Sequence, residues 1–209
     1  FITCGDPDVA TTKAAILEMV KNGADLIEIG IPFSDPTAEG VVIQGANIRA
    51  LAAGITTDKV FDMVVELRKE VTIPLVFMTY ANVVFSYDPE KFFAKCSEVG
   101  IDGIILPDIP FEERNEFLEI SKKYNIDLIS LIVSSLGVTG TRSEITTDLN
   151  SIVKIVRENT DIPCAIGFGI STPEQAKEMS QIADGVIVGS AIIKLLKQYK
   201  TKAPSYIGA

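Results

Sequence analysis

Short apolar, β-branched runs alternate with helically spaced apolar residues along the whole of this 209-residue chain, and nothing else in it restricts the fold so strongly. Strands are expected over residues 1–4, 25–31, 74–80, 103–109, 127–133, 164–167 and 184–189. The segments between them read as helices. Ile16, Met19 and Val20 share one face and Gly23 closes that helix, while Val60, Val64 and Leu67 mark a helix over 57–69. Further helices are expected over 90–99, closed by Gly100, and over 112–124, and another around Leu149, Ile152, Val153 and Val156. Ser171-Thr172-Pro173-Glu174 combines a cap, a first-turn proline and an early acid, and a last helix opens at Ser190.

A weak repeat supports serial βα units. Gly23-Ala24-Asp25, Gly100-Ile101-Asp102 and Ile182-Ala183-Asp184 each introduce a strand after a helix. Strands that alternate with helices form a parallel sheet with the helices outside it. No linker or shift in composition divides the chain, so residues 1–209 are expected to form one (β/α) barrel domain of α/β class. An open doubly wound sheet is disfavoured, because the first strand leads into Gly5-Asp6-Pro7 and not into a Gly-x-Gly-x-x-Gly turn.

The composition narrows the chemistry. The net charge of −9 disfavours nucleic acid and anionic membrane surfaces, so an anionic ligand would need a local site. No apolar run approaches the length of a bilayer span. Three scattered cysteines, Cys4, Cys96 and Cys164, form neither a disulfide framework nor a metal cluster, which suggests a reducing cytoplasm. The chain has no histidine, which excludes Ser-His triads and His-based metal sites. Proton transfer therefore falls to Asp, Glu, Tyr or Lys.

Residues 26–44 hold the most informative chemistry. Glu28 interrupts the apolar run Leu26, Ile27, Ile29, Ile31, and Asp35 and Glu39 follow in the loop after it. A carboxylate inside an apolar strand is costly unless it is paired or protonated. Acids held in different environments suit an acid–base site, although a strand-end ion pair beside a solvated acidic loop would also fit. In a barrel the site lies on the βα loops at the C-terminal strand ends, where phosphate groups recur after the seventh and eighth strands. Gly167-Phe168-Gly169 and Gly189-Ser190 occupy that place, and both are expected to lead straight into helix starts whose N–H groups face an anion. Gly140 could add donors. Asp108 could cap a helix after Pro110 or touch a ligand, Arg49 and Arg142 could be surface charges, and Phe1 and Met78 could be core.

Several of these motifs together resemble the tryptophan synthase alpha chain family. They are Glu28, Gly30-Ile31-Pro32-Phe33-Ser34-Asp35-Pro36, Ala38-Glu39-Gly40 and Ile43-Gln44. The likeness extends through Gly5-Asp6-Pro7, Tyr80-Ala81-Asn82, Pro107-Asp108-Ile109-Pro110, Gly137-Val138-Thr139-Gly140, Gly167 to Ser171 and Gly189-Ser190. It implies a (β/α)8 TIM barrel and a cytoplasmic lyase subunit that cleaves indole-3-glycerol phosphate into indole and glyceraldehyde 3-phosphate. By this resemblance Glu28 and Glu39 are catalytic, and Phe1, Met78 and Ile105 hold the indole ring. Thr139, Gly140, Gly169, Gly189 and Ser190 hold the phosphate. It further implies no cofactor on this chain and a beta-chain partner carrying pyridoxal phosphate in an alpha2-beta2 tetramer, met by Pro32, Asp35, Pro36 and Asn82. Two positions depart from the family pattern: Glu39 stands where aspartate is usual, and Val41 where proline is common. A non-catalytic phosphate-binding subunit and another phosphosugar lyase or isomerase on the same barrel are the alternatives.

The strand count is one short of the eight that the barrel needs, and 209 residues fall below the roughly 250 usual for it. Residues 127–133 read as strand five, yet 134–140 resemble what the family shows after strand six. One βα unit is therefore expected to be missing between about Leu131 and Gly137. Both ends also read as clipped, with Phe1 in mid-strand.

Overall fold

The structure, a computed structural model, describes residues 1–110, 112–131, 149–167 and 169–208. Its strands in chain order are β1 (Ile2–Thr3), β2 (Ile27–Gly30), β3 (Leu75–Met78), β4 (Gly103–Ile105), β5 (Asp127–Ile129), β6 (Ala165–Ile166) and β7 (Gly185–Val186). The helices are α1 (Val9–Lys21), α2 (Val41–Ala52), α3 (Thr57–Leu67), α4 (Ala81–Tyr87), α5 (Pro89–Val99), α6 (Asn115–Tyr124), α7 (Leu149–Asn159), α8 (Pro173–Met179), α9 (Ser190–Tyr199) and α10 (Pro204–Ile207). Each of the seven expected strands is present, trimmed at its ends. No helix among the described residues is long and apolar enough to cross a membrane.

Local chemistry explains many of the boundaries. Asp8 caps α1 by accepting from Thr11 N at 2.7 Å, and Asp88 caps α5 just before Pro89 at its first turn. Gly100 ends α5 in the left-handed region at φ 85°, which glycine adopts without a Cβ penalty. Thr172 and Gln175 form a reciprocal capping box at α8. The expected helix over 112–124 is shorter, beginning at Asn115.

Strands β1 to β5 pair in order, all parallel, and β6 pairs parallel with β7. Next to β7 the wall is closed onto β1, because Phe1 N donates to Val188 O at 2.8 Å. Between β5 and β6 no pairing is present among the described residues. Ile129 at the end of β5 is 36% exposed and Leu131 just after it 51%. The apolar core divides accordingly: a large cluster spans β1 to β4 and their helices, and a small one joins Leu149, Val153, Ile166, Ile170, Met179 and Ala183. Among the described residues the architecture is a parallel (β/α) barrel wall with no strand between β5 and β6. Apart from Leu131, the window in which the missing unit was expected lies outside the described residues.

Register separates the two faces. Directly paired residues point to the same side, and successive residues alternate. Ile2, Ile27, Ile29, Leu75, Phe77 and Ile104 are buried on the outer side, where Phe77 meets the rings of Phe61 on α3 and Phe92 on α5 at 5.6 and 6.4 Å. The inner side is left to Thr3, Glu28, Gly30, Val76, Met78 and Ile105, through the pairs Thr3–Gly30, Glu28–Val76, Gly30–Met78 and Met78–Ile105.

Candidate active site

Glu28 projects from the middle of β2 onto this inner face and is 7% exposed. Burial holds its carboxyl above the usual carboxylate range. Phe1 lies on the same face, two residues before Thr3, and its ring rests over Gly30. A Cβ on Gly30 would come within 2.7 Å of Phe1 Cζ, so the glycine is what admits the ring. Met78 and Ile105 flank Gly30 in the next two strands. Thr3, fully buried beside them, has a hydroxyl without a partner among the described residues.

Glu39 comes from the loop after β2 and is 4% exposed. Its carboxylate accepts from Asn47 Nδ2 at 2.7 Å, and its backbone carbonyl accepts from Gln44 Nε2 at 2.7 Å. The residue before it, Ala38, donates its N–H to the Tyr80 hydroxyl at 3.1 Å. Burial pushes the Glu39 carboxyl up to about 7, the Asn47 hydrogen bond opposes this, and the Glu28 charge adds to it. Strand β2 and its loop thus deliver two acids that sense each other, one on a rigid strand and one on a braced loop. A carboxyl near neutrality can both accept and release a proton.

The phosphate-site expectation is modified. Gly189 does lead directly into α9 and serves as its N-cap without a side-chain cap, with Ser190 buried at the first helical position. Gly189 also lies against Phe1, which places the α9 start next to the ring site across the β7–β1 closure. Gly169, at φ 76°, does not lead straight into a helix, because α8 starts only at Pro173. The first turn of α8 is also self-satisfied: Gln175 Oε1 accepts from Ser171 N and Thr172 N, and Thr172 Oγ1 accepts from Gln175 N. Thr139, Gly140 and Arg142 lie outside the described residues.

Other expectations find definite places. Asp108 does not cap a helix after Pro110. It accepts from Ala81 N at 3.1 Å through both oxygens, capping α4 from a neighbouring loop. Arg49 is not a free surface charge, since it forms a two-point pair at 2.8 and 2.7 Å with Asp6, which is fully buried at the end of β1. Asp35 and Asn82 are exposed, Pro36 is half-buried and Pro32 is buried. Sequence reasoning missed Asn47, the Tyr80 brace and the clearance at Gly30. Only the helical spacing of Asn47 could have hinted at the first, and α2 itself was unread.

A family model described as "Tryptophan synthase alpha chain" matches residues 1–134 and 130–207. The break between its two parts falls at 130–134, where β5 ends. The tryptophan synthase alpha chain of Lacticaseibacillus casei is 45% identical over 228 residues, covering 99% of this chain and 86% of that protein. That alignment is longer than this chain, so the relative carries residues that the chain lacks. The alpha chain of Alkaliphilus metalliredigens is 44% identical, with 94% and 82% covered. Among solved structures, tryptophan synthase subunit alpha from Legionella pneumophila superposes with a TM-score of 0.89 at 36% identity, covering 99% of this chain and 86% of that one. A chain of the tryptophan synthase complex from Pyrococcus furiosus superposes with a TM-score of 0.91 at 30% identity, covering 99% and 92%.

Proposed function

This chain belongs to the tryptophan synthase alpha chain family, the lyase subunits of tryptophan biosynthesis, and on that premise we propose which of its residues perform the family's reaction. The reaction cleaves indole-3-glycerol phosphate into indole and glyceraldehyde 3-phosphate by a retro-aldol step. Ring carbon 3 takes a proton, the adjacent glycerol hydroxyl loses one as its carbon becomes the aldehyde, and the electron pair of the breaking carbon–carbon bond returns to the ring.

Glu28 transfers the proton in this reading. Its burial favours the protonated form, which makes it able to donate and then to recover a proton. Glu39, ionised, accepts the indole N–H and stabilises the positive charge that develops on the ring nitrogen. Phe1, Met78 and Ile105 enclose the ring, and the uncapped α9 start at Gly189 and Ser190 receives the phosphate, joined by Gly169, Thr139 and Gly140. The observation that carries the reading is the inner-face register, which sets Glu28 among Phe1, Met78 and Ile105.

No cofactor is assigned to this chain. Its partner is the tryptophan synthase beta chain, matching the a2b2 assembly of the Pyrococcus furiosus relative, and pyridoxal phosphate is assigned to that partner. Pro36, Asp35 and Asn82, with Pro32 behind them, supply the facing loops. We read residues 1–209 as one barrel domain of a cytoplasmic enzyme. The test is indole release from indole-3-glycerol phosphate, with and without a beta chain. Release that falls roughly a hundredfold or more, yet stays measurable, in Glu39→Ala supports the assignment, and release that persists unchanged in that variant removes Glu39 from the reaction.

A further inference from the structure

Helix α2 contacts the loop that carries Glu39 at two points and contacts the β1 loop at a third. Gln44, in its first turn, holds the Glu39 carbonyl, and Asn47, one turn later, holds Oε2 of the carboxylate at 2.7 Å. Arg49, two residues further on, pairs with Asp6, whose side chain is 1% exposed. Asn47 is itself 4% exposed, so this hydrogen bond forms away from water, where a donor to a carboxylate is worth most. A glutamate has one more rotatable bond than an aspartate, and a free arm of that length would sample several positions.

We infer that Asn47 is a positioning residue that fixes one carboxylate oxygen of Glu39 and leaves the other directed at the substrate ring nitrogen, with the Arg49–Asp6 pair holding α2 in register for that task. The inference rests on the reading of Glu39 given above. Asn47 touches no reacting atom and acts through Glu39 alone.

The same contact tunes the acid. Among the described residues, the titratable groups facing Glu39 are Glu28 on the inner face and Tyr80 just after β3, with Asp108 beyond Tyr80. The Glu28 charge raises the Glu39 carboxyl and Asn47 lowers it, so removing Asn47 moves its titration further up from about 7. Because the ionised form accepts the ring N–H, the acid limb of activity must move to higher pH.

The experiment measures kcat, KM and the pH profile of indole release for the wild type, Asn47→Ala, Glu39→Ala and the double variant, each with its beta chain. If Asn47→Ala does not fold, Asn47→Leu, which keeps the branching and the number of heavy atoms, replaces it. The expected result is a loss in kcat of roughly tenfold or more, about 1.4 kcal/mol of barrier, from the lost charge-assisted bond. KM changes little, the acid limb shifts upward, and no further loss appears in the Glu39→Ala background. An unshifted acid limb, or an equal loss with Glu39 already removed, overturns the role of Asn47 while Glu39 stays in place. Full activity of Glu39→Ala overturns both.

Discussion

Replacing Glu28 by glutamine separates its role in catalysis from its effect on stability, because the two effects have opposite signs. The amide keeps the shape of the side chain but cannot carry a proton. Loss of a general acid–base typically costs 10²–10⁴-fold, about 3–5 kcal/mol of barrier. The stability effect follows from the 7% exposure of Glu28 and its raised pKa. An acid whose folded pKa lies above its unfolded value stabilises the fold below the unfolded value, and loses that contribution as pH rises through the folded one. At neutral pH the native enzyme therefore bears the cost of an acid held where the charged form is disfavoured, and Glu28→Gln removes it. The variant should melt at or above the wild-type temperature near pH 8, with the advantage shrinking toward about pH 5. Two assays decide the matter: steady-state indole release, and thermal melts at those two pH values. A variant that keeps half the wild-type turnover would refute the catalytic role. A variant that melts lower than wild type near pH 8 would refute the burial argument, since it would mean that a partner stabilises the carboxylate.

Three further outcomes are expected. Activity should fall as pH drops through about 7, because Glu39 is pushed up to about 7 and only its ionised form accepts the ring N–H; a kcat profile flat across that range contradicts this. Gly30→Ala places a Cβ 2.7 Å from Phe1 Cζ, so the ring must move, and we expect a raised KM with a stability loss of about 1–3 kcal/mol, read by kinetics and denaturant unfolding. Arg49→Met strands the buried Asp6 carboxylate and should destabilise the fold by about 3 kcal/mol, the low end of the range for a broken buried pair because Arg49 is partly exposed. An unfolding free energy unchanged by that substitution would show that water can reach Asp6.

The sequence alone was sufficient for the strands, since β-branched runs at parallel spacing bury the same residues in any parallel sheet, and all seven expected strands are present. The sequence also placed an expected break where a strand-five run joins a strand-six loop, a window that, apart from Leu131, lies outside the described residues. Helices α2 and α4 were not legible. Helix α2 has no clean apolar stripe, with Val41 at 82% and Ile48 at 66% exposure, and Gly45 lies within it. It is held by core burial of Ile43, Ala46 and Ala50 and by polar contacts outside the helix, Arg49 to Asp6 and Asn47 to Glu39. Helix α4 is short and takes its cap from Asp108, a residue 27 positions further along the chain. The identity of the acids was likewise readable, but their environments were not. The sequence places Glu28 in an apolar run, but register alone decides that it faces inward among Phe1, Met78 and Ile105. A pKa depends on burial and on neighbouring charges, and both are set by parts of the chain that meet only when the barrel forms.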